Sequence, residues 1–591
     1  MMRDHLRSIL APWRWLLGVV VVCVLLSATL EVVPPLLIRR VLDGHIATGQ
    51  RDGLFSLALL YLAVTATLQG LTFLTTYLTA VAAQGALHTL RLRVFAHLQQ
   101  LPMAYHDQTP LGDSISRCTA DVDTIDSLFS SGILNVVTDM VRLVTVCIAM
   151  LALSPPLALV AVGVIVPVAL VTRQFQVRVR AAERTNRAAV GEVNTCLQEL
   201  LGGVEVIRAF AAESVCVRAF RAALRHMLVA YNRAMVYSSL YSPLMAILAA
   251  IASAVLLWCG TRDAFVAWDI SLGTLTAFVL LFQQFFKPIT NLGDEWQTVQ
   301  GTLSGAERLF AVLGLAPEAA PPPLPSVIAA DPRAIVLDHV VFGYQPDWPV
   351  LRGVSLWVRP GEHVALVGRT GSGKSTALNL LGGFYTPWSG SVQVQQRDPR
   401  QLSEDERRHV FGLVPQVVHL FGNTVWENIT LGDTDVSLES VKHAARLAGA
   451  EHFIASLPQG YHTPLRGSGH GAGVQLSAGQ RQLLALTRAL VWHPPVVILD
   501  EATSAVDSVS DATVRTALHT LMRQRGLAVL SVAHRLATAC DADRVVVLEA
   551  GQVVETGPPQ ELAQGSGPFA AWLALEAAGW SWDTVGHPQG R

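Results

Sequence analysis

Six long apolar runs fill the first half of the chain, at residues 16–38, 54–80, 133–153, 157–171, 240–258 and 272–286. About 20 apolar residues carry a helix across a ~30 Å hydrocarbon layer, so the pattern predicts six membrane-spanning helices. Residues 157–171 are short for a span, and Pro155 and Pro156 before them mark a tight turn on the outer side. Arg3 and Arg7 ahead of the first run also suit a secretory signal. Against that reading, Pro34 and Pro35 lie inside the run and no small-residue cleavage site follows.

The connections say more than the spans. Beyond residue 80, mixed polar and apolar positions continue to Leu101 with no proline before Pro102. A helix over 54–101 would be about 70 Å long, more than twice the hydrocarbon thickness, and must project out of the bilayer. A second proline-free stretch, from Val171 to about Tyr237, carries ten arginines between Arg173 and Arg233. An arginine excess beside spans marks the cytoplasmic side. Two tall cytoplasmic extensions are therefore expected, near 81–131 and 173–237. Arg39, Arg40 and Arg51, in a connection that this topology places outside, run against the trend. The membrane region is expected over 1–315, with residues 301–315 leading out of its last helix.

Beyond it the pattern changes. Pro317, Pro321, Pro322, Pro323 and Pro325 bar helix and strand alike, which predicts a linker over 316–332. Short apolar runs at 334–337, 340–342, 363–367, 496–499, 528–533 and 544–548 then read as strands of a buried sheet, alternating with helical segments. An α/β domain is expected over 333–578, followed by a tail at 579–591.

Composition agrees with this division. Charged residues make up 15% of the 591 positions, against roughly 25% in ordinary soluble proteins. Together with a mean hydropathy of +0.40, this excludes a disordered, collagen-like or fully soluble chain. The formal net charge is −2, so no whole-chain basic field argues for nucleic acid. Seven cysteines stand singly without a C-x-x-C pair, several inside apolar runs, and read as reduced packing residues.

The chemistry begins after the run 363–367. Gly368, Arg369, Thr370, Gly371, Ser372, Gly373, Lys374 and Ser375 match G-x-x-x-x-G-K-[ST] between a predicted strand and a helical run at 376–381. Glycines let the backbone curl so that consecutive N–H groups face phosphate oxygens at a helix N-terminus. Lys374 is one of only three lysines in the chain, placed where a compact ammonium suits terminal phosphates, and Ser375 suits Mg²⁺. Downstream, the strand 496–499 ends in Asp500 and Glu501, suited to a Mg²⁺ ligand beside a general base for hydrolytic water. An apolar strand capped by Asp-Glu is common, and the pair gains meaning through the phosphate loop. His534 closes the run 528–533, either facing a γ-phosphate or as an ordinary strand-end residue. Leu476, Ser477, Ala478, Gly479 and Gln480 open a helical run at 483–492 and offer a second helix-end anion site.

On these residues the domain resembles the nucleotide-binding domain of ATP-binding cassette transporters, with Leu476–Gln480 similar to the L-S-G-G-Q signature and Ala478 standing for its first glycine. The resemblance implies that Tyr344 stacks on adenine and that Thr376 completes the phosphate loop. It also implies that Gln416 is the loop glutamine reaching Mg²⁺, beside Ser375 and Asp500. Ser504 and Asp507 would belong to a loop crossing a dimer interface, Glu501 would be the catalytic carboxylate, and His534 the switch histidine, with Lys374 on the phosphates. The segment before the signature, 465–475, lacks the family's usual glutamate, and Val417 replaces a common acidic residue after Gln416. Further matches are Gly112, Asp113 and Arg117, Glu199 to Gly203, and Gly305 with Arg308, similar to the cytoplasmic loops and helix exit of exporters with six helices per half.

The resemblance thus implies a membrane α-helical bundle followed by an α/β P-loop ATPase. Such a half-transporter of the multidrug or lipid exporter type would sit in a bacterial plasma membrane with its ATPase domain cytoplasmic. ATP and Mg²⁺ are the implied cofactors, and each ATP would be sandwiched between the phosphate loop of one domain and the signature of a second. A homodimer comes first and a heterodimer second, since neither Glu501 nor the signature is defective. Amphipathic small molecules are the first choice of cargo, a lipid or lipid-linked glycoconjugate the second, and import the least favoured direction. Within the spans, Glu31, Gln69, Phe73, Tyr77, Asp139, Arg142 and the run Gln283, Gln284, Phe285, Phe286 are polar or aromatic. Glu31 reads either as a site for amphipathic cations or as a packing carboxylate. Asp139 and Arg142 have the spacing of an ion pair across one helical turn.

Overall fold

The computed structural model describes residues 8–49, 51–127, 133–260, 270–318, 333–467, 473–500, 526–533 and 536–578. The chain forms two compact units. One comprises Met1–Gln100 and Pro110–Leu315, the other Leu101–Thr109 and Ala316–Arg591.

The principal helices of the N-terminal unit are α1 (Arg14–Leu30), α2 (Val33–Val41), α3 (Leu54–Gln99), α4 (Ile133–Leu153), α5 (Pro155–Gly202), α6 (Glu213–Gly260) and α7 (Leu272–Leu313). Four stretches are long and apolar enough to cross a membrane among the described residues: Ser8–Ile46, Leu54–Gln99, Leu134–Leu153 and Glu213–Val255, with a shorter one at Leu272–Phe286. At 46 residues α3 is about 69 Å long, so the apolar run and its mixed continuation form one rod.

Three expectations are corrected. The first apolar run is two helices, interrupted at Glu31 and Val32, because Pro34 and Pro35 lack the N–H that would continue α1 and instead sit in the first turn of α2. The run 157–171 is only part of the 48-residue α5, which starts with Pro155 and Pro156 at positions that need no N–H donor. The proline-free stretch to Tyr237 is not continuous. It breaks at Gly203, makes one turn at Val204–Ala209, and passes Ala211 at φ +48° before α6 begins.

Charged side chains tie these helices together. Arg142 of α4 grips both carboxylate oxygens of Glu31, while Asp139 lies 3.9 Å from the same guanidinium. The expected Asp139–Arg142 pair is therefore secondary, and Glu31 is neutralised by an arginine rather than free to meet a cation. Phe285 and Phe286 are core residues packed with Phe278 and Phe282, whereas Phe73 and Tyr77 are exposed on α3. Asp43 caps α7, accepting from Ser271 Oγ (2.6 Å) and from the Gly273 N–H (2.8 Å). A Cβ on Gly273 would stand 2.6 Å from the Asp43 carboxyl carbon, so this cap requires glycine. Toward the other end, the short helix Ala120–Ser127 is pinned by Arg308 to Asp121 (2.7 Å) and Arg91 to Asp123 (2.6 Å).

The C-terminal unit contains β1 (Ile335–Phe342), β2 (Leu351–Val358), β3 (His363–Val367), β4 (Ser389–Val394), β5 (Phe411–Val414), β6 (Val496–Asp500), β7 (Ala528–Val532), β8 (Arg544–Glu549) and β9 (Gln552–Gly557). An antiparallel sheet runs β2-β1-β4, and a second runs β5-β6-β7-β3-β8-β9, parallel except for β9. The expected strands at 334–337 and 340–342 are one strand, β1, bulged where Asp338 is followed by His339 at φ +47°. Helices α8 (Lys374–Leu381) and α9 (Ala478–Leu490) belong to this unit.

Candidate nucleotide site

The parallel register sets where the site forms. Ala365 of β3 pairs with Ser531, Ser531 with Leu499, and Leu499 with Val414. One row on, Leu366 pairs with Val532 and Val532 with Asp500. Four parallel strands therefore end level, and Gly368, Asp500 and Gln416 leave the sheet along one edge. In open parallel sheets, ligands bind outside these carboxyl ends.

β3 is buried along its whole length, and its exit is built from glycine. A Cβ on Gly368 would meet Leu548 O at 2.3 Å and Ser372 Oγ at 2.6 Å. Gly373, the residue before α8, has φ +104°, and a Cβ there would meet Leu351 Cδ2 at 2.6 Å. This geometry turns the chain so that the free N–H groups of the first turn of α8 point back across the loop. Lys374 is only 6% exposed, and its ammonium donates to Gly368 O (2.7 Å) and Arg369 O (3.0 Å). Ser372 Oγ and Arg369 Nε are buried without a hydrogen-bond partner among the described residues. Buried donors left in this state lose about 1–3 kcal/mol each unless a ligand completes them. An anion lying in the loop would complete them. Thr370 and Ser375 are exposed beside them and Thr376 is buried.

Tyr344 stands at the rim, 44% exposed, its hydroxyl donating to Thr376 Oγ1 (3.3 Å) and accepting from Asn379 Nδ2 (3.2 Å). Phe342 and Tyr385 support its ring edge-on at centroid distances of 5.3 and 5.2 Å. Sequence reasoning missed this support, although Phe384, Tyr385 and Trp388 cluster just past α8. Asp500 is half-buried at the end of β6, and Gln416 is exposed beyond β5.

Leu476–Gln480 opens α9 as a capping box. Ser477 Oγ accepts from the Gln480 N–H (3.2 Å), and Gln480 Oε1 accepts from the Ser477 N–H (2.9 Å). Leu476 is buried beneath the turn and Gly479 is buried within it, while Ser477 stays exposed. The N–H groups of Ala478 and Gly479 precede the first intrahelical bond, Arg481 N to Ser477 O, and so have no acceptor within the helix. Glu501, Ser504, Asp507 and His534 lie outside the described residues, as does part of the segment before the signature.

A second buried network was also missed. Asn428, fully buried, holds the turn at Phe421 and Thr424, and Arg488 of α9 donates to Asn428 O (2.7 Å) and His419 O (3.2 Å). It ties the chain beyond Gln416 to the helix that begins at the signature. No residue-type pattern announces it, because most of its acceptors are backbone carbonyls.

Known proteins match both units. The family described as the ABC transporter transmembrane region matches residues 17–289, and that described as ABC transporter matches 351–504. A fatty acid ABC transporter ATP-binding/permease protein of Mycobacterium tuberculosis is 32% identical over 83% of this chain and 76% of its own length. An ATP-dependent lipid A-core flippase of Syntrophus aciditrophicus is 29% identical over 97% and 94%. A multidrug efflux ATP-binding/permease protein of Mycobacterium bovis is 32% identical over 97% of this chain, which spans 47% of it. Among solved structures, a bacterial Atm1-family ABC exporter with ATP bound has a TM-score of 0.77 at 26% identity, covering 96% of this chain and 99% of that one. Helical membrane region, nucleotide-type α/β region and relatives agree. The protein belongs to the ABC transporter family, as a multi-pass membrane half-transporter of exporter type whose cytoplasmic ATPase region couples ATP hydrolysis to transport.

Proposed function

We propose that the chain exports amphipathic or hydrophobic small molecules by alternating access, as one half of a dimer. The observation that carries this reading is that two separate helix N-termini, at Gly373–Lys374 and at Ser477–Gln480, each offer free N–H groups to an anion within one ATPase region fused to membrane helices. One chain thus supplies two half-sites, and a second subunit completes each. The hairpin tip between α5 and α6 supports a dimer, since Phe210 is 79% exposed and Leu201, Val204 and Val206 are exposed beside it. We place six spans in residues 1–315, the linker at 316–332 and the ATPase domain at 333–578. A homodimer is the first choice and a heterodimer the second.

Lys374 and the first-turn N–H groups of α8 neutralise the terminal phosphates, and Tyr344 stacks on adenine through its exposed face. Ser375, Asp500 and Gln416 form an all-oxygen donor set that suits Mg²⁺. When bound, the ion spreads the charge developing on the transferred phosphoryl group. Glu501 orients and deprotonates the attacking water, and His534 contacts the γ-phosphate. Ser477, with the N–H groups of Ala478 and Gly479, approaches the same ATP from the partner, while Ser504 and Asp507 line the crossing between subunits. Closure on ATP turns the membrane cavity outward, and hydrolysis adds repulsion between products that reopens it.

A lipid cargo is the second reading. It is favoured by a cleft of about 350 Å³ lined by Leu37, Ile38, Val41, Leu42, Leu54, Leu57, Ala58 and Tyr61, a wholly non-charged lining, and by the names of two of the relatives. The test uses inside-out vesicles containing the purified protein, given ATP and either a fluorescent amphipathic cation or a labelled lipid. Uphill, ATP-dependent accumulation of the dye supports the first reading, and lipid translocation alone supports the second. Glu501→Gln is expected to bind ATP and hydrolyse it at least about a hundredfold more slowly, as for removal of a general base. Near-normal turnover would contradict the assignment.

A further inference from the structure

The aromatic support of Tyr344 reaches a residue from a distant part of the sequence. Tyr385 donates its hydroxyl to Asp107 Oδ2. Asp107 lies in the short helix Met103–Gln108, within Leu101–Thr109, the segment that packs as part of the C-terminal unit although the chain on both sides of it belongs to the other unit. The Tyr385 ring stands edge-on to Tyr344 at a centroid distance of 5.2 Å and tilted against Phe342 at 5.4 Å. Tyr344 in turn bonds Thr376, next to Ser375 in the first turn of α8. Burial first, and the Asp107 carboxylate after it, push the Tyr385 phenol above its ordinary range, so it remains a donor throughout the working pH. A continuous path therefore runs from Asp107 through Tyr385 and Tyr344 to the helix that opens the phosphate loop.

We propose that Tyr385 is a positioning residue for nucleotide. Held by Asp107, it fixes the ring of Tyr344 at the angle on which a nucleobase stacks, and it makes ATP affinity depend on the segment that follows α3. The proposal rests on the reading of Tyr344 as the adenine platform. An edge-on neighbour stops a half-exposed ring from turning, and the neighbour is itself fixed only while its hydroxyl is held. Since α3 ends at Gln99 and Leu101 begins the segment, a movement of α3 reaches Asp107 through the covalent chain. The physical consequence is a change in KM for ATP rather than in the chemical step, because neither Asp107 nor Tyr385 touches the reacting atoms.

The experiment measures ATPase rate against ATP concentration for the full-length dimer in lipid nanodiscs. Tyr385→Phe removes the hydroxyl and keeps the ring, and is expected to raise KM about fivefold, the worth of one hydrogen bond, with kcat within twofold. Asp107→Ala should do the same, and the double variant should add nothing further. Asp107→Asn, whose amide oxygen still accepts from the phenol, should restore KM to near the parent value. A purely structural role would instead lower kcat and folded yield together without this rescue, and that result overturns the proposal. Tyr344→Ala, assayed in parallel, separates the two readings. If its KM is unchanged, the adenine platform fails and the relay with it. If its KM rises while Tyr385→Phe and Asp107→Ala behave as the parent, only the relay fails.

Discussion

Replacing Asn428 by alanine tests whether the buried network behind the signature helix holds the ATPase region together. Asn428 is completely buried, and its amide is fully used. Oδ1 accepts from the Phe421 N–H (2.9 Å), and Nδ2 donates to Phe421 O and Thr424 O, each at 3.0 Å. Thr424 O also accepts the backbone N–H of Asn428, so it stays satisfied after truncation. The Phe421 N–H and carbonyl lose these bonds, and Arg488 Nη2 loses a weaker contact at 3.4 Å. Arg488 is a sensitive neighbour, since burial already holds its pKa below the usual guanidinium range. At about 1–3 kcal/mol for each buried group left unpaired, two groups give about 2–6 kcal/mol, and because Phe421 is itself 48% exposed the lower part of that range, about 2–4 kcal/mol, applies. For a region of this size, that lowers the unfolding midpoint by about 4–15 °C. Scanning calorimetry of the detergent-solubilised protein reads the shift in the transition of the ATPase region, with the membrane region as an internal reference. Asn428→Asp is the informative control: it offers Arg488 a carboxylate but cannot donate to the Phe421 carbonyl, so it should recover only part of the loss. A midpoint for Asn428→Ala within about 1 °C of the parent, where one unpaired buried group already predicts more, would show that the network is incidental.

Two further outcomes follow from the geometry. Arg142→Met leaves the half-buried Glu31 carboxylate without its guanidinium, a loss of up to about 3 kcal/mol, at the low end of the range for buried pairs. Folded yield by fluorescence size-exclusion should therefore fall and recover in part in Glu31→Gln/Arg142→Met, since Asp139 also loses the guanidinium, and equal yields in the single and double variants would refute the pairing. Gly371→Ala and Gly373→Ala each place a Cβ at positive φ, +82° and +104°, and the second also brings it to 2.6 Å from Leu351 Cδ2. Binding of a fluorescent ATP analogue should weaken in both variants and more in Gly373→Ala, and parent-like affinity in Gly373→Ala would argue against a sterically fixed loop.

The parts legible in the sequence share one property: local chemistry decides them. The strand 363–367 is readable because four consecutive apolar residues, Val364 to Val367, follow His363 and precede a glycine loop, and the structure has β3 over the same residues. The rod α3 was readable because nothing between Leu54 and Gln99 breaks a helix. The strands β2, β4, β5 and β9 are harder to read: β5 is a run of only four residues containing Gly412, too short for its pattern to separate strand from helix, and β9 alternates exposed and half-buried positions at the sheet edge. Val33–Val41 became its own helix because two prolines removed N–H donors, a break that hydrophobicity alone does not show.

By itself, the order of residues determined that this is a membrane chain with a phosphate-binding α/β half, since apolar length, arginine placement and the spacing G-x-x-x-x-G-K-S are all linear properties. Only the tertiary structure decided which partner each polar group takes. Arg142 chose Glu31, 111 residues away, over Asp139 three residues away, and Tyr385 reached Asp107, 278 residues away. A buried charge or hydroxyl must find a partner wherever packing brings one, and that distance in space is not written in the distance along the chain.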